Sequence, residues 1–572
     1  MLTKEEVNDM IEFKQTHLHR FREIETFVKL CKKSLKQPSQ ADNPRTFLYT
    51  KTDKLNRRND MSVYGRVEEV HKENREPLEY QIEQESHHRE SSRLPLVKIL
   101  LWSTLVTGIT LGVPLLLDLM SAQEVQDFYA GWALHQTGKI YSDYYGSQGL
   151  LYYLLTYVSQ GGFFFAIFEW LALVAGGFFL FRSADTLTEQ GDQAGHLVTI
   201  FYMLVTGLAF GGGYATLLAL PFLFAAFSLV AAYLSNPSHD KGFVRIGLAL
   251  AGGFFFAPLS SLLFIAVVSL GLLVFNLGHR RFAHGFYQFL AVALGFSLVF
   301  YPTAYYSAAT GSFGDAISGI RYPIDSIRFD FTSKILENMF FYGLLSLGLG
   351  FVVCIFLGLF QSKPFKLYVI SVPASLVVIL GLILLFFSQE PLHASYLMVV
   401  FPVFLLLLVT NIKSQQRGRS ARRSRRETPV SLWSRFFKGN LYLQVFGFVY
   451  LLSVPFLMKF VLYPVPYQER NRLADLVKEE TNTEDAIYAW DDTATLYRKS
   501  ERLSPSAILS PLHYTATEEN RNKLLNDLKE KQPKVIVVND KVEVWSEVET
   551  LLKENYQQVK TDYSEFKVYK IK

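Results

Sequence analysis

Cysteine is nearly absent. Cys31 and Cys354 are the only two in 572 residues, and they lie in unrelated regions. That excludes a disulfide framework and a cysteine-built metal site. Charge is scarce too: 19% of residues are charged, and they crowd into residues 1–98, a stretch near 413–438 and the tail after 465. No internal repeat is visible, which counts against a two-halved transporter. Nothing near the start reads as a cleavable signal peptide. The first 90 residues are polar, so the first apolar span is expected to direct insertion itself. The net charge of +5 is gathered in clusters that suit topology setting, and no nucleic-acid partner is expected.

What fills the gaps between charges is apolar. Half of the chain is hydrophobic, 15% is aromatic, and mean hydropathy is +0.16. The apolar runs have the length of bilayer-crossing helices, about 20 residues each. The expected fold class is an α-helical polytopic membrane protein of eleven spans with a small α/β domain at its C-terminal end. The spans run Leu96 to Leu117, Phe163 to Phe181, His196 to Phe210 and Leu217 to Leu234. Ile246 to Leu277 is read as two short spans meeting at Pro258. Then come Phe286 to Tyr305, Met339 to Phe360, Leu367 to Phe387, Leu397 to Thr410 and Leu441 to Val461. This count puts the basic links on one side: Arg182, Lys241 and Arg245, Arg280 and Arg281, Lys363 and Lys366, and the run from Lys413 to Arg426. Positive links are retained in the cytoplasm, and the run is expected to touch anionic lipid headgroups.

Three regions follow. Residues 1–93 are expected to be cytoplasmic: an amphipathic helix over 1–37, with Val7, Met10, Ile11, Leu18 and Phe21 at helical spacing, then a polar disordered stretch. Residues 94–463 form the transmembrane domain, with outer loops at 118–157 and 306–336. Residues 464–572 form an extracytoplasmic α/β domain: helices at Asn471 to Glu480, Glu518 to Lys531 and Val542 to Asn555, and strands at Ala486 to Trp490, Lys534 to Val538 and Glu565 to Ile571. Trp490, Asp491 and Asp492 read as a strand end and turn.

The first outer loop is the stretch that calls for chemistry. Ala122 to Leu155 carries Glu124, Asp127 and Asp143 among Tyr129, Tyr141, Tyr144, Tyr145, Tyr152 and Tyr153. Links between spans are usually a few residues long. A carboxylate at a membrane boundary among aromatics is placed to act as a general base on a hydroxyl. Glu124 and Asp127 are three residues apart, on one helix face. Arg321 and Arg328 in the second outer loop could hold a phosphate by paired hydrogen bonds. A short outer link adds Glu390, His393 and Tyr396. Glu169 lies inside a span, where ionisable groups face an interior or cavity.

The order of these features resembles the GT-C membrane glycosyltransferases, among them protein O-mannosyltransferases and aminoarabinose transferases. The match is Asp127, then Ala130-Gly131-Trp132-Ala133-Leu134, Gly138, Tyr141 and Asp143; in the tail it is AIYAWDDTATLYRKSERLSP, KVIVV and KVYKI. It covers roughly residues 96–572. Two departures stand out. The family's adjacent Asp-Glu pair is split into Glu124 and Asp127, and Gly146-Ser147-Gln148-Gly149 stands in place of Pro-Pro. The resemblance implies an inverting transfer from a polyprenyl-phosphate-linked sugar to a hydroxyl of a glycan, teichoic acid or protein. Asp127 would be the base with Glu124 beside it, and Asp143 would orient a substrate. Tyr129, Tyr141 and Tyr396 would contact sugar, and Arg321, Arg328 or His393 the phosphate. No cofactor or metal is expected; a paired-acid Mg²⁺ or Mn²⁺ site is the alternative. A cytoplasmic synthase of the lipid-linked sugar, or a second copy, is the partner expected for the N-terminal helix. Competing readings are a non-catalytic membrane scaffold and a transporter or flippase of lipid-linked sugars.

Overall fold

The computed structural model describes residues 94–137, 140–188, 191–238, 240–329, 332–349, 351–360, 365–390, 394–400 and 464–572, with scattered residues between 402 and 462. The expected N-terminal helix, the basic run 413–426 and about half of the last two expected spans lie outside the described residues. The described part of 94–462 is helical. Its helices are α1 (Leu96–Leu117), α2 (Ala122–Thr137), α3 (Leu150–Ser159), α4 (Phe165–Thr188), α5 (Gly191–Leu208), α6 (Ala215–Ser235), α7 (Phe243–Phe256), α8 (Pro258–Gly278), α9 (Phe282–Ala309), α10 (Phe313–Asp325), α11 (Ser333–Leu349), α12 (Phe351–Phe360), α13 (Phe365–Phe387) and α14 (Leu452–Val461).

Among the described residues, six helices are long and apolar enough to cross a membrane: α1, α4, α6, α8, α9 and Tyr368–Phe387 of α13. The remaining expected spans are not shown as membrane-crossing helices among the described residues. Pro258 does divide the long run Ile246 to Leu277. It sits at the first turn of α8, where its missing N–H costs nothing. The helix before it, α7, has 14 residues and is short for a straight crossing. α3, α14 and the apolar part of α5 are short as well.

The helices meet through small residues, as membrane helices do in the absence of a hydrophobic drive between them. α7 packs on α9 with backbone close to backbone: a Cβ on Gly247 would lie 2.0 Å from the Val292 carbonyl oxygen, and one on Gly295 would lie 2.1 Å from that of Val244. The outer face of α9 is open, with Phe286, Phe289 and Leu294 more than half exposed. On a helix of this apolarity, that face meets lipid tails.

The C-terminal part comprises α15 (Pro464–Glu480), β1 (Ile487–Trp490), α16 (Thr495–Ser500), α17 (Glu518–Lys531), β2 (Val535–Asn539), α18 (Ser546–Asn555), β3 (Tyr556–Val559) and β4 (Phe566–Ile571). The sheet order is β1-β2-β4-β3. β1 and β2 are parallel and fully buried, and β4 pairs antiparallel with β2 and with β3. A parallel pair needs a crossover, which α17 supplies. β3 has no counterpart in the sequence reading, where a single helix was expected up to Asn555. The strand end after Trp490 is locked by charge. Arg470 donates to both oxygens of Asp491 at 2.7 and 2.8 Å, and Asn539 Nδ2 donates to Asp491 at 2.7 Å. Paired bonds of this kind suit a buried Arg–carboxylate contact.

A bulky side chain at the α7–α9 crossing should therefore be intolerable. Gly295→Leu should cost about 1–3 kcal/mol or more by overpacking, seen as a lower thermal midpoint and loss of monodisperse protein in detergent. Gly343→Ala, whose Cβ would meet nothing within 4 Å, should leave both unchanged.

Candidate functional site

The site begins where α1 stops. Asp118 adopts a left-handed conformation (φ 54°), which ends the helix. Three residues later Ser121 accepts the backbone N–H of Glu124 through its hydroxyl at 3.3 Å, a side-chain cap for the start of α2. α2 then presents Glu124 and Asp127 on one face. Both are buried, with 1% of their surfaces exposed.

Burying carboxylates demands hydrogen-bond donors, and tyrosines supply them. Tyr144 donates to Asp127 Oδ1 at 2.8 Å, with the Tyr153 hydroxyl at 3.5 Å. Tyr152 lies 3.2 Å from Glu124 Oε2 and 3.0 Å from the Gly213 carbonyl. Behind them Glu169 accepts from the Thr110 hydroxyl at 2.7 Å and from the Gly213 N–H at 3.2 Å. Thr110 belongs to a π-helical turn of α1, Gly108–Gly112, a local widening often found at functional sites. Gly211, Gly212 and Gly213 all have positive φ, 110°, 73° and 78°. A Cβ on Gly213 would lie 2.6 Å from the Phe128 ring and 3.0 Å from Glu124 Oε2. Only glycine passes there, so both backbone groups of Gly213 can serve the acids.

Both loop acids are pushed above their ordinary values, Glu124 well above and Asp127 to about 7. A tyrosine hydroxyl has one hydrogen. Tyr152 can bond both the Gly213 carbonyl and Glu124 Oε2 only when Glu124 brings its own proton. Burial, then the Asp127 charge, pushes Glu124 well above the usual carboxylate range. Asp127 instead faces two hydroxyl donors on one oxygen. Burial raises it to about 7, against the opposing Tyr144 and Tyr153 bonds. Its Oδ2 is buried with no hydrogen-bond partner, and Nε2 of the adjacent Gln126 is likewise unpartnered. Buried polar atoms without a protein partner on consecutive residues are uncommon in folded proteins.

The C-terminal part roofs these acids. Tyr145 N–H donates to the Ala507 carbonyl at 3.0 Å. Tyr145 packs edge-on against Tyr514, whose hydroxyl meets the Ser147 N–H and hydroxyl at 3.3 Å. Glu390 accepts the Thr515 N–H at 2.9 Å and the Tyr322 hydroxyl. Beside the roof lies a small pocket lined by Gln123, Ser147, Gln148, Tyr214, Thr216, Ser260, Pro323 and Tyr396 among others. Among the described residues no three His, Cys, Asp or Glu are grouped as a metal site.

The structure brings together Glu124 and Asp127, and sets Tyr396 in the wall of the neighbouring pocket. It does not bring in the rest. Asp143 is exposed on the turn after Tyr141, which has φ 66°. Arg321 is exposed and pairs with Asp325 one helical turn away at 2.9 Å. Arg328 donates to the carbonyls of Asp325 and Ile327; neither arginine lines the pocket. Tyr129 is a buried strut: its hydroxyl donates to the Arg502 carbonyl at 3.2 Å and accepts the Ser504 N–H at 3.0 Å. Tyr141 is also buried, donating to the Gln148 carbonyl at 2.8 Å. His393 lies outside the described residues. Sequence reasoning missed Thr110, Gln126 and Tyr514. The run of three glycines was the signal available in the sequence for the Gly213 contacts.

Apolar helices of this length with an acid-bearing link under an α/β roof define a multi-pass membrane protein. Residues 84–464 match the N-terminal domain, and residues 467–572 the C-terminal domain, of the putative competence-induced protein Ccs4. The chain belongs to that family. No curated protein matches the sequence. Among solved structures, the chain is similar to ArnT from Cupriavidus metallidurans in the apo state, at 14% identity and a TM-score of 0.45, over 79% of this chain and 93% of that one. That likeness is too distant to speak to activity.

The charge assignment has a measurable consequence. Asp127 holds its proton more tightly folded (about 7) than its ordinary value of 3.8. Its contribution to stability is therefore full below pH 4 and lost as pH rises through 7. Relative to Asp127→Asn, the wild type should lose thermal stability across that window, read as the difference between two Tm-against-pH curves. Tyr144→Phe removes a donor to the ionised form and should move the window upward.

Proposed function

We propose that this protein is an integral-membrane glycosyltransferase that moves a sugar from a polyprenyl-phosphate donor to an acceptor hydroxyl at the outer membrane face. The observation that carries the reading is Asp127: one oxygen held by tyrosines, the other buried and unpartnered, with ionisation near neutral pH. A general base works best with its pKa near the working pH. In this reading Asp127 Oδ2 takes the acceptor's proton as the acceptor oxygen attacks the anomeric carbon. The bond from that carbon to the phosphate oxygen breaks, and polyprenyl phosphate leaves with inversion. Glu124 keeps its proton and so leaves Asp127 the pair's only charge. The pocket beside the 144–148 turn is the proposed entry, and that turn must shift to uncover Asp127. Tyr396 in the pocket wall is a candidate sugar contact. No cofactor or metal is invoked. The acceptor is a cell-surface glycan, teichoic acid or protein.

The test compares surface-glycan composition in wild type, a gene deletion, and the deletion complemented with either the wild-type gene or Asp127→Asn. The deletion should lose one sugar, the wild-type gene should restore it, and a well-expressed Asn variant should not. Full restoration by Asp127→Asn would make this acid structural and end the general-base assignment.

A further inference from the structure

Three chain segments meet beside α16. They are the end of α1, the stretch preceding α4 and the end of α14. Lys459 Nζ caps the end of α1 by donating to the Leu117 carbonyl and, at 3.1 Å, to that of Asp118. Lys499 Nζ lies 2.5 Å from Asp118 Oδ2, and Lys459 Nζ lies 3.7 Å from the same oxygen. Arg498 lies over the Phe128 ring at 5.8 Å and donates to the Gly161 carbonyl at 3.3 Å and to Met120 Sδ at 3.0 Å. Two lysines thus share one carboxylate, and Arg498, beside Lys499 on α16, has no carboxylate of its own among the described contacts.

Arg498 is the least satisfied of them. A guanidinium offers five N–H donors in a planar fork, and here it meets one carbonyl and one thioether, a weak acceptor. Around the cluster the surface is apolar: Leu116, Phe163, Phe164, Phe460 and Val461 are each more than half exposed. These side chains stand at the ends of apolar helices, where a bilayer gives way to its headgroups. Excess positive charge beside exposed apolar surface fits an amphiphile with an anionic head, and the fork fits phosphate oxygens.

We propose that Arg498, Lys499 and Lys459 bind the phosphate headgroup of an anionic membrane lipid at the seam between the C-terminal part and the helix ends, its acyl chains lying along Phe163, Phe164 and Phe460. This site does not depend on the glycosyltransferase reading. The lipid would join the roof to the membrane domain.

The experiment uses the full chain in nanodiscs or mild detergent. Bound lipid is read by native mass spectrometry, and Tm is measured with phosphatidylglycerol, phosphatidylcholine or inorganic phosphate added. The wild type should retain phosphatidylglycerol and gain Tm from it alone. Arg498→Gln and Lys499→Gln should each weaken that retention at least fivefold, while Arg321→Gln, remote from the cluster, should not. Should Arg498→Gln fail to fold, Lys499→Gln carries the test together with wild type at high salt, which should abolish the phosphatidylglycerol effect. Retention unchanged in Lys499→Gln, or protection by inorganic phosphate equal to that by the lipid, would overturn the proposal.

Discussion

Two carboxylates of one helix face, Glu124 and Asp127, are buried together, with Glu169 close behind, and the surrounding structure answers that cost. Isolated buried charges are prohibitively expensive. The chain therefore brings Tyr144, Tyr152 and Tyr153 to the loop acids. It opens α1 into a π-turn that carries Thr110, and passes a run of three left-handed glycines between Glu124 and Glu169. Gly213 is the joint: its N–H serves Glu169 and its carbonyl takes Tyr152. These devices supply partners to the buried acids and leave one oxygen of Asp127 without one.

The C-terminal part completes this arrangement. Its contacts with the first loop include Tyr129, Tyr145 and Ser147, each fixed by a backbone or hydroxyl partner between residues 502 and 514. The roof excludes water from the acids, which strengthens every electrostatic interaction beneath it. It also ties the 144–148 turn, whose Tyr144 bonds Asp127.

Local pattern made the loop acids legible. Glu124 and Asp127 stand three apart in an aromatic stretch between apolar runs, and helix geometry alone puts them on one face. The Pro258 division and the crossover helix Glu518–Lys531 were readable for the same reason. What failed was non-local or hung on one backbone angle. Asp143 looked like a third site acid, but the left-handed Tyr141 turns that segment outward. Arg321 looked like a phosphate ligand, but helix α10 gives it Asp325 one turn away. Tyr129 looked like a sugar platform, yet its partners lie more than 370 residues away in sequence, beyond any local pattern. Short helices such as α7 carry apolar runs that look like spans but are too brief to cross unaided.

The most direct measurement is chemical. The purified full-length protein, reconstituted in lipid, is supplied with radiolabelled polyprenyl-phosphate sugar and an acceptor extract from the deletion strain, and release of polyprenyl phosphate is followed against pH. Wild type should release it with a rate that rises through pH 7 as Asp127 ionises, and Asp127→Asn should release none above background. Equal release by folded Asp127→Asn protein would contradict the account at its centre.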